Sequence, residues 1–230
     1  MRQLLITLLL ILLLSCAFVN QQNQVETTSE WNRFELTGIA KSLKEKTYKA
    51  NFSSSVIKED ELSLLNTLIV SFDSLGRFTK SITLNAENNR TSSTTTKYTK
   101  DKNYESFHYS KDNVLRNKSI IKYVSDSLIL EESFAPNDEL LFSIRVEKQN
   151  DRFSKVTLVN GDKIDSHFYY YTDDKFIKNK VAINKNKDTI SNIKYKYLAF
   201  DKNGNWTKRL SKNSLNKNDI GKLEVREINY

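Results

Sequence analysis

From Leu62 onward, apolar and polar residues alternate with a period of two rather than 3.6. Across residues 77–85, RFTKSITLN, Phe78, Ile82 and Leu84 fall on one side and Arg77, Thr79, Ser81 and Thr83 on the other. Across residues 139–147, Leu140, Phe142, Ile144 and Val146 alternate with Glu139, Leu141, Ser143, Arg145 and Glu147. Successive side chains of a strand point to opposite faces, so each run predicts a strand with one face covered. The Thr, Ile, Val, Tyr and Phe that fill these runs suit a pleated surface.

Turn signals punctuate the runs, among them Leu75-Gly76, Asn88-Asn89, Asp112-Asn113, Asn137-Asp138, Asn160-Gly161, Lys187-Asp188 and Asn203-Gly204. Asn and Asp tolerate the left-handed region and close Asx-turns, so they serve where a chain with five glycines is short of them. Signals about 10 to 16 residues apart leave room for one strand each, and strands joined so tightly are antiparallel neighbours. Residues 31–230 therefore predict one all-β domain, an antiparallel meander of roughly twelve strands. A long flat sheet would expose its edges and an apolar face, so the meander is expected as a curled single sheet or a loosely closed barrel. At residues 57–66 acidic residues precede Leu62 and Leu65, which leaves a short helix as an alternative to the strand favoured by the following TLIVSF.

The first residues are of another kind. Arg2 precedes an apolar run from Leu4 to Leu14, followed by Ser15 and Cys16. The run is too short for a spanning helix, which needs about 20 residues, and has the layout of a secretory signal over residues 1–15. Residues 16–30 are polar after their first few positions and read as a tether. Cys16 is the one cysteine of the chain, and Leu13 to Cys16, LLSC, resembles the lipobox of bacterial lipoproteins. That resemblance implies a diacylglycerol on the Cys16 thiol, cleavage before it, and a membrane partner reached through lipid. Ala17 stands where Asp would retain such a protein at the inner membrane, and no acidic tract follows, so the resemblance implies an outer-membrane lipoprotein facing the periplasm.

A weak repeat joins an aromatic, a polar turn and a second aromatic: Phe72-Asp73 before Phe78, Tyr98 before Tyr104, Tyr171 before Phe176, and Phe200-Asp201 before Trp206. Residues 197–210, YLAFDKNGNWTKRL, resemble a copy of the YD-repeat (RHS-like) unit, and residues 38–50 and 226–230 are similar to it. Small lipoproteins of Bacteroidetes type carry degenerate copies of this unit, and the resemblance implies one antiparallel sheet that twists and curls.

Composition narrows the chemistry. Two His and one Cys exclude a Cys/His zinc cluster and an internal disulfide framework, and the scarce glycines exclude a phosphate-cradling loop. No cofactor or metal is expected. His108 and His167 sit in aromatic strand runs, and Asp165 merely shares a strand face with His167, so no catalytic residues are assigned and the chain reads as a non-enzyme. The net charge is +8, and between Lys175 and Lys212 eleven Lys or Arg face only Asp188 and Asp201. Lys178 and Lys180, and Lys194 and Lys196, each repeat at spacing two and form the candidate patch for an anionic envelope polymer or phosphorylated lipid headgroup. The exported address argues against nucleic acid, and no protein partner is indicated. Ser74, Ser127 and Thr189 each follow Asp and precede an aliphatic residue, a pattern that resembles Bacteroidetes O-glycosylation sites. The expected function is a lipid-anchored, non-enzymatic binding or scaffold module. The alternative is a carrier holding a lipophilic ligand on the concave side, which needs a pocket of about 300 Å³ or more.

Overall fold

The computed structural model describes residues 34–50, 62–99, 103–150, 152–172, 176–216 and 221–230. Residues 1–33, on which the expected signal segment, Cys16 and the expected tether fall, lie outside the described residues. Strands follow in chain order: β1 (Ser42–Lys49), β2 (Ser63–Phe72), β3 (Phe78–Asn85), β4 (Arg90–Tyr98), β5 (Tyr104–Ser110), β6 (Leu115–Ser125), β7 (Leu128–Phe134), β8 (Leu140–Gln149), β9 (Arg152–Asn160), β10 (Lys163–Tyr171), β11 (Ile177–Asn184), β12 (Thr189–Phe200), β13 (Trp206–Asn213) and β14 (Lys222–Asn229). Each pairs antiparallel with its sequence neighbours, and β1 pairs β14 from Ser42↔Asn229 to Lys49↔Lys222, closing the barrel. The meander is as expected, with fourteen strands instead of roughly twelve. β1 escapes a hydropathy count because SLKEKTYK offers only Leu43 and Tyr48 as apolar positions, on opposite faces. Of the alternative helix, residues 57–61 lie outside the described residues and Ser63–Asn66 belong to β2.

One turn geometry recurs. The N–H of the first turn residue meets the carbonyl four residues on, and its own carbonyl accepts the N–H three residues on, at Asp73, Asn85, Ser110, Ala135, Asn184 and Asp201. In each the fourth residue is left-handed: Gly76, Asn88, Asn113, Asp138, Lys187 and Gly204, with φ between 62° and 78°. This is the three-residue hairpin whose left-handed residue makes a bulge. In five of the six, all but Ala135, the side chain of the first residue completes it. Asp201 Oδ1 accepts from the N–H groups of Asn203 and Asn205 at 2.8 and 2.9 Å, and Asp73 Oδ1 from those of Leu75 and Arg77, both at 2.9 Å. Two of these turns are flanked by repeated aromatics that face each other, Phe72↔Phe78 and Phe200↔Trp206; Tyr98↔Tyr104 also face each other across β4 and β5, and Tyr171 faces Ile177 rather than Phe176.

Strands contact only their ring neighbours to any extent, so opposite walls stay apart and apolar packing is local. Alternation identifies strands without saying which face is inside. On β3 the polar Ser81 lines the lumen beside Thr94 of β4, and Ile82 and Leu84 turn outward. On β8 the reverse holds: Ile144 lies opposite the lumen-lining Glu131, and Arg145 and Glu147 turn outward. The outer wall carries exposed ion pairs along its strands, Lys118–Glu105, Lys122–Glu132, Arg145–Glu147 and Lys46–Glu227. A lysine or arginine facing lipid at mid-depth costs about 2–4 kcal/mol.

Candidate functional site: the barrel mouth, the lumen and the lysine face

Both chain termini of the ring and the β2–β3, β10–β11 and β12–β13 turns share one rim. There Phe34, Leu36 and Ala40 pack with Leu43, Val70, Phe72 and Phe78, so the segment before β1 closes part of the mouth. Phe34 meets Phe72 edge-on at 5.4 Å, and Arg226 Nη1 donates to the Phe34 carbonyl at 2.7 Å. Thr37 is clasped by Asn205, whose Oδ1 accepts the Thr37 N–H at 2.6 Å and whose Nδ2 donates to the Thr37 carbonyl at 2.9 Å.

Between these ties Glu35, at φ 54°, turns its carboxylate inward. Oε1 accepts from the Ile177 N–H and the Tyr197 O–H, both at 3.2 Å. Oε2 accepts from Trp206 Nε1 at 3.0 Å and Arg209 Nη1 at 2.6 Å. Arg209 also donates through Nε to Glu224, directly opposite it on β14. Arg226 donates through Nε to Glu45 at 2.7 Å, across the β1–β14 seam. Trp206 is fully buried, with the Arg226 and Arg209 guanidinium carbons 3.5 and 4.0 Å from its ring centre.

Burial alone would lower the Arg209 pKa, but Glu224 and Glu35 outweigh it and hold the guanidinium charged. Burial lowers Arg226, and Glu45 offsets only part of that. Burial pushes the Tyr195 phenol up to about 12, and burial together with Glu35 raises Tyr197 and Tyr171. These phenols are neutral donors at any ordinary pH. The cluster holds three carboxylates and two guanidiniums in a water-poor corner, with each Glu35 oxygen accepting two hydrogen bonds.

Deeper in the lumen a cavity of about 220 Å³ is lined by Phe34, Leu68, Val70, Phe78, Tyr104 and Ile121 on its apolar side and by Ser81, Thr94, Ser106, His108 and Glu131 on its polar side. His108 Nδ1 lies 3.0 Å from Thr94 Oγ1 and Nε2 lies 3.5 Å from Ser119 Oγ, a satisfied wall histidine. This cavity is smaller than the roughly 300 Å³ expected of a site for a lipophilic cargo.

His167 faces the lumen between Asp165 on its own strand and Lys180 on β11, and its Nδ1 is buried without a hydrogen-bond partner among the described residues. Burial lowers its pKa, Lys180 lowers it further, and Asp165 opposes them. A folded-state pKa below the unfolded value means that the unfolded chain binds the proton more readily. The stability associated with neutral His167 is complete above about pH 6.5 and is lost as pH falls toward the lower folded pKa. Denaturation midpoints at pH 8 and pH 5.5 are expected to differ less in His167→Gln than in the parent; an equal difference in both would remove this assignment.

The four sequence-predicted lysines do not share one face. Asn179 lies opposite Lys194, so Lys180 turns inward, 5.6 Å over the Tyr169 ring, where burial lowers its pKa. Lys178 is exposed at the irregular start of β11, and Lys194 and Lys196 are exposed on the outer wall. A spacing of two shows that a pair shares a face of its own strand, and register decides whether neighbouring pairs agree. The structure brings in Lys212 of β13 instead, directly opposite Lys194. Counting six residues out from the Phe200↔Trp206 pair on each strand would have found it. Among the described residues no acidic group forms an ion pair with Lys194, Lys196 or Lys212. Ser74 and Ser127 are exposed in the β2–β3 and β6–β7 turns, and Thr189 is exposed at the start of β12.

The fold and the mouth define a closed antiparallel β-barrel of fourteen strands with charged groups in its interior. No protein-family model and no curated protein matches the chain. In structure it is similar to a porin-like protein from Bacteroides uniformis ATCC 8492, with a TM-score of 0.50 at 10% identity over 84% of this chain and 99% of that one.

Proposed function

We propose that this chain is a lipid-anchored envelope protein whose barrel is a non-enzymatic binding module for anionic polymer or phosphorylated lipid headgroups. The observation that carries the reading is the Lys194↔Lys212 pair, with Lys196 beside it. Like charges directly opposite on a sheet destabilise it, and a ring that keeps them without an acidic partner among the described residues favours an anion there. The LLSC segment with Cys16, and the resemblance to YD-repeat lipoproteins of Bacteroidetes type, support an outer-membrane anchor facing the periplasm. The neighbour named porin-like invites a spanning role, and the ion pairs along the outer wall argue for anchoring beside the bilayer. The exposed Ser74, Ser127 and Thr189 are the proposed glycan acceptors.

Cys16→Ala protein is expected in the soluble fraction, which separates the lipid anchor from the lysine face. At low ionic strength it should bind vesicles containing phosphatidylglycerol but not pure phosphatidylcholine, and binding should vanish by about 0.5 M salt, where screening falls to a few Å. Charge reversal at Lys194, Lys196 and Lys212 together should abolish binding, and Lys180→Ala should leave it intact. If the triple variant sediments with the vesicles as well as the parent does, the lysine face is not the site.

A further inference from the structure

We propose that Ile177, Tyr197, Trp206 and Arg209 form a carboxylate-binding site in the barrel mouth, occupied in cis by Glu35, and that the carboxylate of a small ligand competes for it. Four donors from three strands converge on two oxygens, at 2.6 to 3.2 Å. That is a full complement for one carboxylate, which accepts about four hydrogen bonds.

The barrel builds this site without help from its occupant. Arg209 is fixed by Glu224, the Trp206 ring lies against Arg226, and the Ile177 N–H belongs to the first residue of β11. The Tyr197 hydroxyl lies 3.0 Å from the Ile177 carbonyl as well, so it keeps an acceptor when Glu35 leaves. Charge points the same way. Without Glu35, Arg209 remains paired with Glu224 and Arg226 with Glu45, so withdrawal strands no buried charge. Glu35 itself sits at φ 54°, a left-handed position that is strained for a non-glycine residue. Phe34 lines the luminal cavity, so an outward movement of residues 34 and 35 would open that cavity to the mouth.

The test uses the full chain with Trp31→Phe, which leaves Trp206 as the sole indole of the two in the sequence. Its Nε1–H resonance then reports directly on one of the four donors. In Glu35→Ala, sodium acetate should move this resonance saturably, whereas acetamide, equal in shape and uncharged, should not. Adding Tyr197→Phe, which deletes one donor, should weaken the acetate midpoint several-fold. In the Glu35 parent, acetate must displace the resident side chain, and its midpoint should lie at least tenfold higher. Glu35→Gln serves if the alanine variant does not fold: its amide NH₂ opposes donors, so acetate should displace it at a concentration below that needed in the parent. If acetate acts no differently from acetamide in both variants, the site is not a carboxylate site. If the variants respond and the parent does not at any concentration, Glu35 is a permanent strut and the competition is overturned.

Discussion

Trp206→Ala is expected to lower stability by about 3–5 kcal/mol, read as a fall in the denaturation midpoint at unchanged slope. The indole is fully buried, so its removal leaves a cavity that the ring cannot readily fill, because β12 and β13 are held on both sides by neighbouring strands. Three further losses accompany the cavity. Arg226 and Arg209 lose the aromatic face that each guanidinium overlies, and Glu35 loses the Nε1–H donor. Cation–π contacts of desolvated arginines contribute about 2 kcal/mol each, so the upper part of the range is expected. Trp206→Phe keeps a ring under the arginines and should lose less. A loss below about 1 kcal/mol for the alanine variant would show that the indole does not hold the mouth together.

The second large effect is expected from Arg209→Met. Methionine fills similar space along the stem but removes the charge that Glu35 and Glu224 share. Removing one partner of a buried ion pair costs about 3–5 kcal/mol because the other is left uncompensated. Two carboxylates are stranded here, and they are in reach of the same vacated volume. Arg209→Lys keeps the charge but not the two-pronged geometry and should lose less. Guanidinium titrations of the parent and both variants check this. A loss below about 1 kcal/mol for the methionine variant, against the roughly 3–5 expected, would mean that Glu35 and Glu224 relax into water when the arginine is gone.

What the sequence discloses follows from the range of the interactions involved. The strands and turns were legible because a turn is a local object: Asp201, Asn203 and Gly204 carry their own hydrogen bonds and their own left-handed residue within four positions. The facing aromatics were legible for the same reason. Closure was left open, since nothing within β1 or β14 announces that Glu45 and Arg226 will meet. The inner face was harder still. In a barrel too wide for its side chains to fill, polar residues can turn inward, as Ser81 and Thr83 do, so apolar alternation loses its usual direction. Lys180 was placed with Lys194 because spacing carries no register. Glu35 was missed altogether: a lone acid ahead of the first strand has no pattern, and its role exists only once Ile177, Tyr197, Trp206 and Arg209 have been gathered around it.

The β1–β14 pairing also bears on how the chain reaches its folded form. Thirteen of the fourteen pairings join consecutive strands and can zip from their own turns within a short stretch of chain. The last joins Ser42 to Asn229, nearly the whole length of the domain. Loop closure costs about 0.6 kcal/mol for each doubling of loop length, so bringing these ends together is dearer than forming a hairpin by about 3 kcal/mol. Sealing is therefore the late event, and until it happens β1 and β14 are two bare edges on one molecule. Either edge can be satisfied by the complementary edge of a second molecule in the same condition. The Glu45–Arg226 pair acts on this choice, since it joins β1 to β14 from inside a lumen that forms only when the ring is complete.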